Sequence, residues 1–209
     1  MLCGMTDGPF LAPFDLIGEQ YDNSFTDRTA QLDAGAWITE QLPRGARVLD
    51  LGCGSGLPSA MQLDEAGLQV VGTDESEVML RLARRRAPHG TFLRRDMRDL
   101  SDLGEFDAVI SFFSLIMLAK ADIVTLLHDL QNVLIEPKLL AISTVYGNFD
   151  NFPIMFLGVP AKVTAWPTDE LVEVVKQAGY EIQQTDEVEA EAEPGRMERQ
   201  IYIRARSTL

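Results

Sequence analysis

Cysteine is nearly missing from this sequence: Cys3 and Cys53 stand alone among 209 residues. Neither their number nor their spacing makes a disulfide framework or a zinc site, so the chain reads as one for a reducing, cytoplasmic compartment with no bound metal. Long apolar runs are missing too. No window approaches the roughly 20 apolar residues that a bilayer span needs, and the opening residues lack a basic stretch followed by an apolar one, which speaks against membrane insertion and export. Positive charge is scarce, with 18 lysines and arginines against 32 aspartates and glutamates and a formal net charge of −14. Such a field repels phosphate backbones and argues against a nucleic-acid partner. The densest basic group, Arg81, Arg84, Arg85 and Arg86, falls late in an expected helix, where cations meet the helix dipole favourably, and reads as a solvated helix end. Histidine is limited to His89 and His128. No repeat, low-complexity tract or dividing linker is present.

What is present has the balance of a soluble globular protein, 46% hydrophobic and 24% charged, at a length suited to one sizeable domain. Residues 1–26 read as a tail and cap segment, and 27–209 as the domain. Apolar residues recur at helical spacing from Asp27 to Leu42, and the pattern stops at Pro43 and Gly45. Strands then alternate with helices: strands at 47–51, 69–73, 91–94, 106–113 and 138–146, helices at 57–65, 77–87 and 122–134. This alternation predicts an α/β fold with a parallel sheet covered on both faces. After an aromatic loop at 146–167 come a helix at 168–178 and two segments, 180–190 and 197–206, that face each other across Glu193-Pro194-Gly195-Arg196 as an antiparallel hairpin. Glu187, Glu189, Glu191 and Glu193 alternate along it and read as a charged solvent face that discourages edge pairing.

The strongest local signal is Val48-Leu49-Asp50-Leu51-Gly52-Cys53-Gly54-Ser55-Gly56, a buried strand running into a glycine loop and then a helix. Gly52, Gly54 and Gly56 let the backbone turn tightly and let a ligand approach main-chain atoms. Asp74 closes the next strand near the roughly 20-residue spacing of a ribose-binding carboxylate. A dinucleotide site keeps a longer G-x-G-x-x-G pattern that rests a pyrophosphate on the helix N-terminus. Here Asp50 precedes the loop; it repels a pyrophosphate and suits a cationic ligand. The P-loop pattern is absent.

Val48 to Gly56 resembles the first motif of class I S-adenosylmethionine-dependent methyltransferases, particularly the small-molecule enzymes of bacteria, and the element order from about residue 27 to 206 is similar to that family's. The resemblance implies a Rossmann-like seven-stranded, mostly parallel sheet with a C-terminal antiparallel hairpin strand, and S-adenosyl-L-methionine as cofactor. It places Asp50 at the cofactor's ammonium, Asp74 with neighbouring Glu75 at the ribose, and Asp96 with Met97 at the adenine. Ser111, Phe112 and Phe113 then line the methionine part and the substrate side. The lead-in Phe14 to Asp22 is similar to the family's N-terminal cap, which makes Tyr21 a candidate for contacting the sulfonium or the substrate; packing a helix onto the domain is the other reading. Tyr146, in the aromatic stretch, is the second candidate catalytic residue, and that stretch (Phe149, Phe152, Met155, Phe156, Val159, Trp166) reads either as a wall for an apolar or aromatic small molecule or as a loop packed on itself. Methyl transfer is a displacement at an already activated carbon, so alignment and desolvation suffice and a dedicated base is optional. The alternative is a binder that does not transfer the methyl, in which the sulfonium assists a cyclisation or rearrangement.

Overall fold

A computed structural model describes residues 12–25, 27–193 and 195–209. Cys3, the rest of the lead-in before Ala12, and Pro194 of the expected hairpin turn lie outside the described residues.

Two short helices open the described chain, α1 (Pro13–Ile17) and α2 (Gln20–Ser24), followed by α3 (Thr29–Gln41). The alternating part holds β1 (Arg47–Leu51), α4 (Ser59–Glu65), β2 (Gln69–Asp74), α5 (Glu77–Arg86), β3 (Thr91–Arg94), β4 (Phe106–Phe112), α6 (Lys120–Asp129) and β5 (Leu134–Val145). Then come β6 (Phe149–Phe156), β7 (Val159–Ala165), α7 (Thr168–Gln177), β8 (Tyr180–Glu193) and β9 (Arg196–Ser207). Among the described residues the main sheet has seven strands in the order β3-β2-β1-β4-β5-β9-β8. Its pairs are parallel from β3 to β5, while β9 runs antiparallel to both of its neighbours. The α/β alternation and the closing antiparallel strand are thus as expected.

The period-2 geometry of strands divides the core into two layers. Leu49 and Leu51 of β1 pack with Val109, Ile142 and the apolar faces of α6 and α7. Val48, next to Leu49 in sequence, faces the other way with Ala108, Ala141 and the faces of α3, α4 and α5. Because both faces are covered, the central strands carry continuous apolar runs. β8 is the edge strand, and Glu187 and Glu189 are exposed on it.

Three features depart from expectation. The stretch 146–167, expected as a loop, is an antiparallel hairpin of its own, β6 with β7. It turns at Leu157 (φ 47°) and Gly158 (φ 79°), the two left-handed positions that tight hairpins favour. The helix expected to reach 134 ends at Asp129 and tightens into a 3-10 turn, Leu130–Asn132, so β5 begins at Leu134. The basic end of α5 is not simply solvated. Arg84 bonds the Phe92 carbonyl at 2.9 Å, and Arg86 bonds the Ser55 carbonyl at 2.9 Å.

β2 and β3 lie to one side of β1, β4 and β5 to the other. The chain therefore reverses direction across the sheet between β1 and β4, which opens a crevice outside their carboxyl ends.

Candidate active site

β1 delivers Asp50 to that crevice almost fully buried, 3% exposed. Its Oδ2 has no hydrogen-bond partner. Burial, helped by the nearby Asp74 carboxylate, pushes its pKa up to about 7. A buried anion with an unmet oxygen is costly unless a cation or donor reaches it.

The loop that follows uses each glycine differently. Gly52 sits at φ 68°, and a β-carbon there would stand 2.2 Å from Cβ of Ser114. Ser114 itself donates to the Leu51 carbonyl at 2.6 Å, clamping the loop to the end of β4. Gly54, at φ 52°, has open space where a β-carbon would project. That space belongs to a cavity of about 340 Å³, inside the roughly 300–1,000 Å³ of small-molecule sites. Gly56 serves packing instead. A β-carbon on it would meet Cα of Ala83 in α5 at 3.0 Å, and Gly56 does not line the cavity.

Asp74, at the end of β2, holds the loop from the other side. One carboxylate oxygen accepts from Gly54 N at 2.9 Å and the other from Ser76 N at 2.8 Å. Burial raises its pKa to about 6 in spite of these two bonds. Each oxygen keeps a second lone pair for a ligand hydroxyl. Glu75 beside it is exposed at the cavity wall, and Met97 is half-buried there, 3.4 Å from the β-carbon position of Gly52. Asp96 also lines the cavity, but Arg98 grips it through Nε and Nη2, and that hydrogen bonding holds its carboxyl below the ordinary range.

Of the residues expected at a site, Asp50, Gly52, Gly54, Asp74, Glu75, Asp96 and Met97 thus share one cavity. Ser111 does not. It is buried behind the wall with its hydroxyl 2.5 Å from that of Ser114, because inward-facing Ser111 alternates away from the crevice. Ser114 lines the cavity in its stead, and local spacing gives no sign of this, since its loop partners Leu51 and Gly52 lie more than 60 residues earlier. Tyr146 lies outside as well: it is exposed, bridged to Trp166, and covered by the Arg199 guanidinium 3.8 Å from its ring centre. Both histidines are exposed away from the cavity.

The cap closes over this cavity by specific bonds. Asp15 accepts from the Ser76 hydroxyl at 2.6 Å and Asp22 from the Ser55 hydroxyl at 2.6 Å. Arg86 pairs with Asp22 at 2.7 Å, and Arg28 reaches both Asp22 and the Leu57 carbonyl. Asp22, Arg28 and Arg86 were not legible as site residues, because no local pattern couples positions so far apart. Tyr21 stands behind them against Phe14 (5.7 Å), Phe25 (4.9 Å) and Phe156 of β6 (6.4 Å between ring centres). Burial raises its pKa to about 12.

A second cavity, of about 170 Å³, adjoins the first. Phe14, Tyr21, Gln31, Phe113 and Met117 line both. Phe113 is held at φ 56°, a left-handed conformation rare for a bulky residue, and such strain gathers at functional sites. The aromatic stretch divides accordingly. Phe149 and Phe156 line the second cavity, Phe152 and Met155 are exposed, and Trp166 is buried in the core.

Residues 48–136 match the model of a family described as a methyltransferase domain. The chain is 31% identical over 160 residues to the ubiquinone biosynthesis O-methyltransferase of Ruegeria pomeroyi, covering 68% of this chain and 63% of that protein. It is 34% identical over 101 residues to the dTDP-3-amino-3,6-dideoxy-alpha-D-glucopyranose N,N-dimethyltransferase of Streptomyces fradiae, covering 48% and 38%. The chain spans 31 to 38% of the length of three curated relatives that it matches. Among solved structures, the CcbJ methyltransferase of Streptomyces caelestis superimposes with a TM-score of 0.72 at 16% identity, over 95% of this chain and 99% of that one, which is a likeness of fold.

Proposed function

We propose that the chain is a methyltransferase of the class I, Rossmann-like kind, and that it transfers a methyl group from S-adenosyl-L-methionine to an O, N or C nucleophile of a small, apolar or aromatic metabolite. One observation carries the reading: a cavity of mixed polarity built on the glycine loop shares Phe14, Tyr21 and Phe113 with a second, more apolar cavity. Two reactants held side by side and away from water are what a displacement of this kind needs.

The residues present fit the cofactor. The unpartnered Oδ2 of Asp50 suits its ammonium group, and the open space at Gly54 suits close approach to the backbone. Asp74 has lone pairs left for the ribose hydroxyls with Glu75 beside it, while Met97 and Asp96 form the wall for the adenine. The cofactor supplies a methyl carbon activated by its sulfonium. The protein's part is to orient and to exclude water. Phe113 and Tyr21 stand between the cavities, and the Asp22–Arg86 pair keeps the cap closed over the loop. No general base is assigned: Tyr21 holds its proton at neutral pH and the histidines are remote. The place of action is the cytoplasm, a reading supported by the free, buried thiol of Cys53. The acidic charge supports a small molecule rather than nucleic acid as the partner. Among the described residues no helix is long and apolar enough to cross a membrane.

The test is incubation of the full chain with methyl-labelled S-adenosylmethionine and fractions of a metabolite extract. Label in a small product supports the proposal. Cofactor binding without label transfer in any fraction overturns it in favour of a binder that does not transfer the methyl.

A further inference from the structure

β9 places Arg196, Glu198, Gln200 and Tyr202 on one face by strand alternation, and all four line the second cavity. Three of them form a directed row. The Tyr202 hydroxyl donates to Gln200 Oε1 at 3.0 Å, and Gln200 Nε2 donates to Glu198 Oε1 at 3.0 Å. Burial pushes the Tyr202 phenol pKa up, so it keeps the proton that it donates. With both ends engaged, the Gln200 amide has one orientation.

That orientation leaves a definite pair of groups for a ligand. An amide nitrogen carries two hydrogens and Glu198 accepts one; the other meets no acceptor among the described residues, although Gln200 is only 7% exposed. The Tyr202 oxygen has lone pairs and no donor among the described residues. One donor beside one acceptor complements a hydroxyl, which both accepts and donates. A carboxylate only accepts and an ammonium only donates, so each would leave one member of the pair unmet. The rest of the wall is mainly aromatic and aliphatic, with Tyr202 edge-on to Phe113 at 5.8 Å between ring centres. The ionic groups that line it are two of each sign: Asp27, Glu198, Arg28 and Arg196. The volume of about 170 Å³ is close to the roughly 150 Å³ of a cavity that takes up benzene.

Resting on the proposed function, we propose that the methyl acceptor enters this cavity as a neutral, single-ring hydroxylated group, a phenol or a molecule with a phenol-sized end, and that Gln200 and Tyr202 orient it through its hydroxyl. A site built to bond a hydroxyl rejects the analogue that lacks it, because its own buried groups are then left unpaired.

The test is calorimetric titration of the full chain, saturated with S-adenosylhomocysteine, with phenol, toluene, benzoate and benzylammonium. Phenol is expected to bind at least about tenfold more tightly than each of the others. Gln200→Leu is expected to remove that preference while toluene still binds, which a merely structural role for Gln200 would not produce. Equal binding of phenol and toluene, or preference for either charged analogue, overturns the inference. If Gln200→Leu fails to fold, the wild-type selectivity decides alone, with Tyr202→Phe expected to weaken phenol binding and spare toluene. Failure to bind S-adenosylhomocysteine in the first step refutes the cofactor reading instead, so the two failures are told apart.

Discussion

Asp50 is the residue on which the cofactor reading turns, and its burial gives it a pH signature. Its pKa stands near 7 in the unliganded protein, while a cationic ligand is held only by the ionised form. Binding of S-adenosylhomocysteine, which keeps the ammonium, is therefore expected to tighten as pH rises through 7, by up to about tenfold per unit below it, with proton release on binding near that pH. Stability of the unliganded protein runs the other way. The folded state holds a proton that the unfolded chain has released above the ordinary carboxylate range, so this group's contribution is full at low pH and is lost as pH rises through about 7. Asp50→Asn is expected to flatten both profiles, as titration across pH 5.5–8.5 on the order of half-unit steps would show. Gly54 makes a second residue-level expectation. Gly54→Ala puts a β-carbon into open cavity at φ 52°. It is expected to cost about 1 kcal/mol of stability from the left-handed backbone and at least tenfold in cofactor affinity, read by melting and titration. Both residues were legible because the strand, the loop and Asp74 lie close in sequence. Ser114 and Arg86 were not, since each acts on a loop that the fold, rather than the chain, brings near.

Elements were readable in proportion to their length and regularity. The strands and helices from 47 to 112 carry period-2 or helical apolar patterns, and their expected bounds hold within a few residues. α1 and α2 have five residues each, too short for a pattern, so resemblance alone suggested a cap. The β6–β7 hairpin was missed because Pro153 and Pro160 interrupt it and its turn is Leu157-Gly158 rather than an asparagine- or aspartate-glycine pair. Between them these two elements close both cavities, and the clasp of α2 is the point at which to probe them. Arg86→Ala leaves Asp22 with Arg28 and Ser55 only. The partly buried ion pair predicts a loss of about 1 to 2 kcal/mol, confined to the cap. Hydrogen exchange should quicken in residues 13–25 while β1, β4 and β5 stay protected; unchanged exchange there would show that the clasp does not hold the cap.

At the scale of the whole molecule, alternating strands and helices implied a sheet covered on both sides, and the two core layers follow from which way each β1 residue points. The strand order was not legible, since alternation alone fits several orders. That order puts the crevice between β1 and β4, and the crevice gathers Asp50 with the glycine loop, Asp74 and Asp96 from three separate stretches. The acceptor end is assembled from the cap, the hairpin and β9, and for that reason it was the least readable part. The central claim is that this crevice holds a cationic adenosyl cofactor and not a dinucleotide. Calorimetric titration of the full chain with S-adenosylhomocysteine and with NAD tests it most directly. The account predicts saturable binding of S-adenosylhomocysteine, weakened at least tenfold by Asp50→Ala, and no binding of NAD; tight binding of NAD with no response to S-adenosylhomocysteine would contradict it.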